Sequence, residues 1–75
     1  MNVDHLITMA NQIGSFFESQ GTHEQAVQGI ADHLQRFWEP RMLHVIGEHV
    51  HGNGAGLHEA VAEAVRRLAT SDALR

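Results

Sequence analysis

Cysteine and lysine are both absent from the 75-residue sequence. Without cysteine, no disulfide can stabilise the chain and no thiolate can bind a metal ion. Without lysine, the cationic side chains are five arginines against nine aspartates and glutamates, and the formal net charge is −4. Proteins that bind nucleic acid or anionic membranes need a basic surface. The composition therefore argues against both of these function classes.

A long apolar run is also absent. No segment approaches the ~20 consecutive apolar residues of a transmembrane helix. The first five residues lack the basic start and apolar stretch of a signal peptide. We therefore expect a cytoplasmic protein, with one domain over residues 1–75. So small a chain buries only about 60% of the surface that its unfolded form exposes. A partner, or self-association of the isolated chain, is expected to add stability.

Apolar residues recur at helical spacing in four segments, and no segment shows the alternation of a strand. We predict an all-α domain of about four short helices, over residues 3–19, 23–38, 40–51 and 57–69. The C-terminal tail, residues 70–75, is expected to fray. Thr22 and Gln25 form a capping-box pattern before the second helix. Proline disfavours helical geometry in the residue before it and suits a first helical position, so Glu39-Pro40 predicts a corner between the second and third helices.

Two adjacent aromatic residues, Phe37 and Trp38, precede this corner. Phe37 continues the apolar stripe that contains Leu34, so we expect Phe37 in the core. Trp38 is at the rim of the stripe and is followed closely by Arg41. Tryptophan and arginine are enriched among the residues that dominate binding energy at interfaces. The corner therefore predicts a docking surface for another protein.

The first helix adds a second apolar feature, because it carries both Phe16 and Phe17. Its apolar arc is wider than three short neighbouring helices can cover, which favours use of the surplus at an interface. His33 flanks the Phe37 edge of its helix and is expected at the same interface. The predicted partner-binding residues are Trp38, Arg41, Met42, Phe16 and His33.

Seven histidines are the main indication of a metal site. Two histidines on a helix bind one ion best at positions i and i+4, and the cluster His44, His49, His51 and His58 contains no such pair. No nucleophile motif surrounds a serine. The glycine-rich segment 52–56 does not match a phosphate-binding loop. We expect no catalytic, cofactor-binding or metal-binding residue in this chain, with weak metal binding by the histidines as the alternative.

Three segments of the sequence resemble a known family. The longest is Gly-Ile-Ala-x-His-Leu-x-x-Phe-Trp-x-Pro-Arg-Met over residues 29–42. The others are Met-Ala-Asn-Gln-Ile-Gly-x-Phe-Phe over residues 9–17 and Gly-Ala-Gly-Leu over residues 54–57. Together they resemble the delta subunit of the cytoplasmic NAD-dependent formate dehydrogenases, which are multi-subunit molybdenum or tungsten enzymes. The resemblance spans roughly residues 3–68.

The resemblance implies a small, non-catalytic subunit that has no cofactor of its own. Such a chain is expected to bind and stabilise the catalytic alpha subunit of a complex, with beta and gamma subunits, that oxidises formate to carbon dioxide. The molybdenum or tungsten pterin, the iron–sulfur clusters, FMN and NAD then belong to partner subunits. A role in cofactor insertion is also implied, so a permanent subunit and a maturation factor both stay open. From the residues alone, the alternative is a free-standing helical homo-oligomer or an adaptor for an unrelated enzyme.

Overall fold

The computed structural model describes residues 2–70, which form one small all-helical domain with no strand in that range. The predicted all-α class is thereby confirmed. The predicted tail begins inside the last helix, and its residues 71–75 lie outside the described range. The four helices within residues 2–70, in chain order, are α1 (Val3–Glu18), α2 (His23–Phe37), α3 (Pro40–Gly52) and α4 (Glu59–Thr70).

Local hydrogen bonds explain why α1 and α2 begin where they do. Asn2 caps α1, since its side-chain oxygen accepts a 2.8 Å hydrogen bond from the Asp4 amide. The capping box before α2 is present as predicted: the Gln25 amide donates to the Thr22 hydroxyl, and the Thr22 amide donates to the Gln25 side chain. These bonds satisfy backbone donors that have no partner inside the helix.

The corner between α2 and α3 has two extended residues. Trp38 has φ −88° and ψ 142°, and Glu39 has φ −69° and ψ 152°. Pro40 then occupies the start of α3, where its missing amide hydrogen costs no helical bond. The predicted corner at Glu39-Pro40 is therefore present, and α2 ends one residue earlier than expected.

The Asn11 side chain of α1 holds the α3–α4 connection, and Glu18 of α1 contacts His58 of the connection at 3.1 Å. Asn11 donates a 2.8 Å hydrogen bond to the Gly56 carbonyl and accepts a 2.9 Å bond from the His58 amide. Gly54 and Gly56 have φ of 64° and 85°, a left-handed region that glycine adopts without strain. This connection extends through His58, so α4 begins at Glu59 and not at the predicted Leu57.

The core lies where one side of each helix meets the others, and α4 packs most extensively against α2. The largest side chains that are fully buried are aliphatic: Ile30, Leu34, Ile46, Val27, Val61 and Val65. Two glycines allow close helix contacts. A Cβ atom at Gly14 would lie 2.5 Å from Val61 Cγ2, and one at Gly29 would lie 2.5 Å from Phe17 Cδ1.

The prediction for the two corner aromatics was wrong in its assignment of burial. Phe37 is 71% exposed, whereas Trp38 is 7% exposed and belongs to the core cluster. The two residues differ in backbone and in contacts. Phe37 is the last residue of α2, and its ring contacts His33, while Trp38 has an extended backbone and packs into the core cluster.

Candidate protein-docking surface

A row of four aromatic rings crosses the surface between α1 and α2. We call Phe16, Phe17, His33 and Phe37 the aromatic row. Adjacent ring centroids along it are 5.2, 6.2 and 4.8 Å apart, within the range of favourable aromatic contacts. Phe16 is 60% exposed and Phe37 is 71% exposed, so both ends of the row meet solvent.

The middle of the row is fixed by the packing of α1 on α2. Phe17 is half-buried and rests on Gly29, which has no side chain to displace the ring. His33 lies between Phe17 and Phe37 and is also half-buried. The two exposed phenylalanines are therefore attached to an ordered base, which lowers the entropy that a partner must offset on binding.

A groove runs beside the Phe37 end of the row. It has a volume of about 470 Å³ and lies between α1 and the α2–α3 corner. We call it the corner groove. Its lining is mostly apolar and includes two methionines, whose flexible side chains adapt to different occupants. The lining residues are Met9, Gln12, Ile13, His33, Phe37, Trp38 and Met42.

Two arginines flank this region. Arg36 lines a shallow pocket on the other side of Phe37, together with Asp32. Arg41 is exposed at the start of α3, directly before the groove residue Met42. No ion pair within residues 2–70 involves Arg36 or Arg41. Their guanidinium groups are therefore available to an acidic or carbonyl partner.

Arg67 is used differently, since it joins α4 to the start of α2. It donates two 2.7 Å hydrogen bonds to the Glu24 carboxylate and one of 3.0 Å to Glu63. Hydrogen bonding by Arg67 lowers the pKa of Glu24, and the same contact raises the pKa of Arg67. This network contributes no residue to the aromatic row or the corner groove, so we assign it to the packing of the chain.

Within residues 2–70, four histidines make polar contacts. Across the described ranges, no group of three or more His, Cys, Asp or Glu side chains is placed to hold a metal ion. The expectation that the chain binds no metal stays a prediction. The contacts join His49 to the Ala55 carbonyl at 2.7 Å, His58 to Glu18 at 3.1 Å, His23 to Glu63 at 3.2 Å and His44 to Glu48 at 3.7 Å.

The structure brings most of the predicted partner-binding residues together. His33, Trp38 and Met42 line the corner groove, and His33 also belongs to the aromatic row that begins at Phe16. Arg41 is adjacent to the groove in sequence. Trp38 forms part of the buried groove wall and not the exposed anchor that we expected. Contact of these residues with a partner stays a prediction.

Three features of the structure were not predicted from the sequence. Phe37 was assigned to the core, although its position beside a helix end allowed the ring to leave the apolar stripe. Gly29 is the first residue of the longest segment that resembles the family. Its place there was the sequence signal for a close contact between α2 and Phe17 of α1. Asn11 is a polar residue beside the apolar stripe of α1, and its role as a tether for the α3–α4 connection had no local signal in the sequence.

No helix within residues 2–70 is long and apolar enough to cross a membrane. Neither the comparison with curated proteins nor that with solved structures returned a match.

The family comparison does return a match, and it covers most of the chain. The sequence profile described as NADH-dependent formate dehydrogenase delta subunit FdsD matches residues 5–65. The matched range contains all of α2 and α3 and all of α1 except its first two residues. It also contains the aromatic row and the corner groove. The chain therefore belongs to the NADH-dependent formate dehydrogenase delta subunit family.

Proposed function

We propose that this chain is a non-catalytic subunit that binds the catalytic alpha subunit of a cytoplasmic formate dehydrogenase and stabilises it. Membership of the delta subunit family supports this proposal most strongly. The exposed aromatic row supports it independently, because monomeric proteins seldom leave large apolar side chains clustered in water. Two phenylalanines attached to a rigid base are typical of a surface that another protein covers.

In this proposal the chemistry belongs to other subunits. Formate is oxidised to carbon dioxide in the catalytic subunit, and the molybdenum or tungsten pterin, the iron–sulfur clusters, FMN and NAD are held by the alpha, beta and gamma chains. The present chain supplies contact surface. Its binding stabilises the folded catalytic subunit by mass action, because a ligand that binds only the folded state shifts the equilibrium toward it.

The proposed contacts follow from the exposed side chains. Phe16 and Phe37 are the main apolar anchors, with His33 between them and Met42 at the groove. Arg41 meets a polar group of the partner. Trp38 mainly supports these residues from the core, because only 7% of its surface is exposed before the partner binds.

A role in cofactor insertion is part of the proposal and can be separated from permanent binding. A permanent subunit stays in the mature enzyme in a fixed ratio. A maturation factor binds the cofactor-free catalytic subunit and leaves once the pterin is in place. In both cases the same surface of this chain is occupied, but at different stages of assembly.

The test is production of the catalytic subunit with and without this chain. Three quantities are measured: the amount of this chain that co-purifies with the catalytic subunit, the pterin content and the melting temperature of the catalytic subunit. We expect this chain to co-purify with the catalytic subunit. We also expect the catalytic subunit to have a lower melting temperature when this chain is omitted. Equal co-purification before and after cofactor insertion indicates a permanent subunit. No co-purification, with unchanged stability and pterin content, would contradict the proposal.

A further inference from the structure

We propose that Asn53 is a site of self-modification, at which the backbone nitrogen of Gly54 converts the side-chain amide into a carboxylate. The two residues form an Asn-Gly pair in the connection between α3 and α4. The reaction needs no partner protein, so it is independent of the proposed function.

The chemistry is an intramolecular attack followed by hydrolysis. The Gly54 nitrogen gives its proton to a base in the solvent and attacks Cγ, the side-chain carbonyl carbon of Asn53. A bond from nitrogen to Cγ forms, the bond from Cγ to Nδ2 breaks, and Nδ2 leaves as ammonia after taking a proton from the solvent. One water molecule then opens the resulting five-membered imide at either carbonyl carbon, which gives aspartate or isoaspartate at position 53. Water is the only co-reactant, and no atom changes its oxidation state.

The following residue distinguishes Asn53 from the other two asparagines in the sequence. Gly54 has no Cβ atom to hinder the approach of its nitrogen, and it allows the backbone freedom that ring closure needs. Val3 follows Asn2, and its stiff β-branched side chain crowds the attacking nitrogen. Asn11 lies inside α1, where the next backbone amide is bonded within the helix. Asn53 is therefore the asparagine that we expect to react.

Hydrogen bonds around the Asn53 side chain activate its carbonyl and leave its amino group free. The Oδ1 atom accepts a 2.9 Å hydrogen bond from the Ala55 amide. A donor at this oxygen polarises the carbonyl and stabilises the negative charge that develops on Oδ1 during attack. Asn53 is exposed, and within residues 2–70 no hydrogen bond holds its Nδ2 atom. By contrast, the Asn11 amino group is held by the Gly56 carbonyl.

Attack requires an opening of the last turn of α3. The Gly54 amide donates a 3.0 Å hydrogen bond to the His49 carbonyl, which also accepts a 3.2 Å bond from the Asn53 amide. These bonds lie at the helix end, where turns open most readily. Opening frees the Gly54 nitrogen and allows the ψ angle of Asn53, which is −8° in the structure, to rotate and bring that nitrogen toward Cγ. The folded chain should therefore react by the same route as the unfolded chain, but more slowly.

The products alter the connection that Asn11 holds. Both products add a negative charge at the C-terminus of α3, where the helix dipole is already negative. Isoaspartate also lengthens the backbone by one carbon, which shifts Gly56 and His58 relative to Asn11, to which both are hydrogen-bonded. Reaction at Asn53 should therefore lower the stability of the chain.

Peptide mapping by mass spectrometry tests the reaction. The purified chain is incubated in mildly alkaline buffer made with heavy-oxygen water, and timed samples are digested with trypsin in ordinary water. Trypsin cleaves after arginine, so Asn53 falls in the peptide of residues 42–66, and Asn2 and Asn11 fall in that of residues 1–36. We expect the 42–66 peptide to exchange its amide for a carboxyl group with one heavy oxygen, about tenfold faster or more than the 1–36 peptide. The product should separate into aspartate and isoaspartate forms.

Two variants and an unfolded sample serve as controls. Asn53→Gln should leave the 42–66 peptide unchanged, because attack on glutamine has to close a larger ring. Asn53→Asp carries one of the two products and should melt at a lower temperature than Asn53→Gln. A sample unfolded in denaturant should react faster than the folded chain. If the 42–66 peptide reacts only in the unfolded sample, the fold protects Asn53 and the proposal is wrong. Aspartate without isoaspartate would indicate direct hydrolysis by water and would overturn the attack by Gly54.

Discussion

Replacing each of the two adjacent aromatics at the corner with alanine should have opposite consequences for stability. Trp38 is 7% exposed, so Trp38→Ala removes a buried side chain and leaves a cavity. Such truncations cost about 3–5 kcal/mol. Phe37 is 71% exposed, so folding removes less than a third of its side chain from water. Complete burial of phenylalanine contributes about 1.5–3 kcal/mol, and the part buried here roughly 0.4–0.9 kcal/mol.

These magnitudes are large compared with the stability of so small a chain. A 75-residue domain has an unfolding free energy on the order of 4–11 kcal/mol. With a shift of about 4–8 °C per kcal/mol, Trp38→Ala should lower the melting temperature by at least ~12 °C, and Phe37→Ala by less than ~7 °C. Circular dichroism at 222 nm follows both variants, since it does not depend on the indole that one of them lacks.

If Phe37→Ala lowers the melting temperature as much as Trp38→Ala, Phe37 belongs to the core and the aromatic row does not reach the surface as described. A Trp38→Phe variant is the internal control. It keeps an aromatic ring in the cavity and should fall between wild type and Trp38→Ala.

Four further substitutions test the packing of the chain. Asn11→Ala removes two hydrogen bonds to the α3–α4 connection and should cost about 1–3 kcal/mol in denaturant unfolding, with a larger change in amide exchange for that loop than for α2. Gly29→Ala places a Cβ atom against the aromatic ring that rests there and should destabilise the chain by about 1–3 kcal/mol, despite the better helix propensity of alanine. Gly52→Ala, where an added Cβ meets nothing within 4 Å, should be neutral or stabilising in the same thermal melts. Arg67→Ala tests the pH dependence of stability. Arg67 lowers the pKa of Glu24 from its usual 4.5. The stability from this pair is therefore present above pH 4.5 and is lost as the pH falls through the lowered pKa. The difference in melting temperature between wild type and Arg67→Ala should therefore shrink below pH 4.5, and a constant difference would contradict this.

The helices were predictable because their signals are local. The capping box at Thr22, the proline at position 40 and the period of the apolar residues each act within a few residues. The predicted start of α4 was two residues early because the tether from Asn11 is a long-range contact. No local pattern records a side chain that is 45 positions away.

The burial of the corner aromatics could not be predicted from periodicity. Phe37 and Trp38 both continue the stripe of α2, and a helical projection separates them by only 100°. Burial depends on which residue ends the helix and on the backbone angles that follow, and α3 and Pro40 together determine those. The aromatic row also depends on Gly29, whose lack of a side chain carries no periodic signal.

The measurement that tests the docking surface most directly is the affinity of purified catalytic subunit for wild-type chain and for Phe16→Ala, Phe37→Ala and Arg66→Ala variants. Titration calorimetry supplies the dissociation constants, and thermal melts establish that each variant is folded. We predict a tight complex for wild type and Arg66→Ala. Each phenylalanine variant should bind at least tenfold more weakly with little change in its own stability, as expected for an exposed anchor worth about 2 kcal/mol. Wild-type affinity in both phenylalanine variants would show that the partner binds elsewhere.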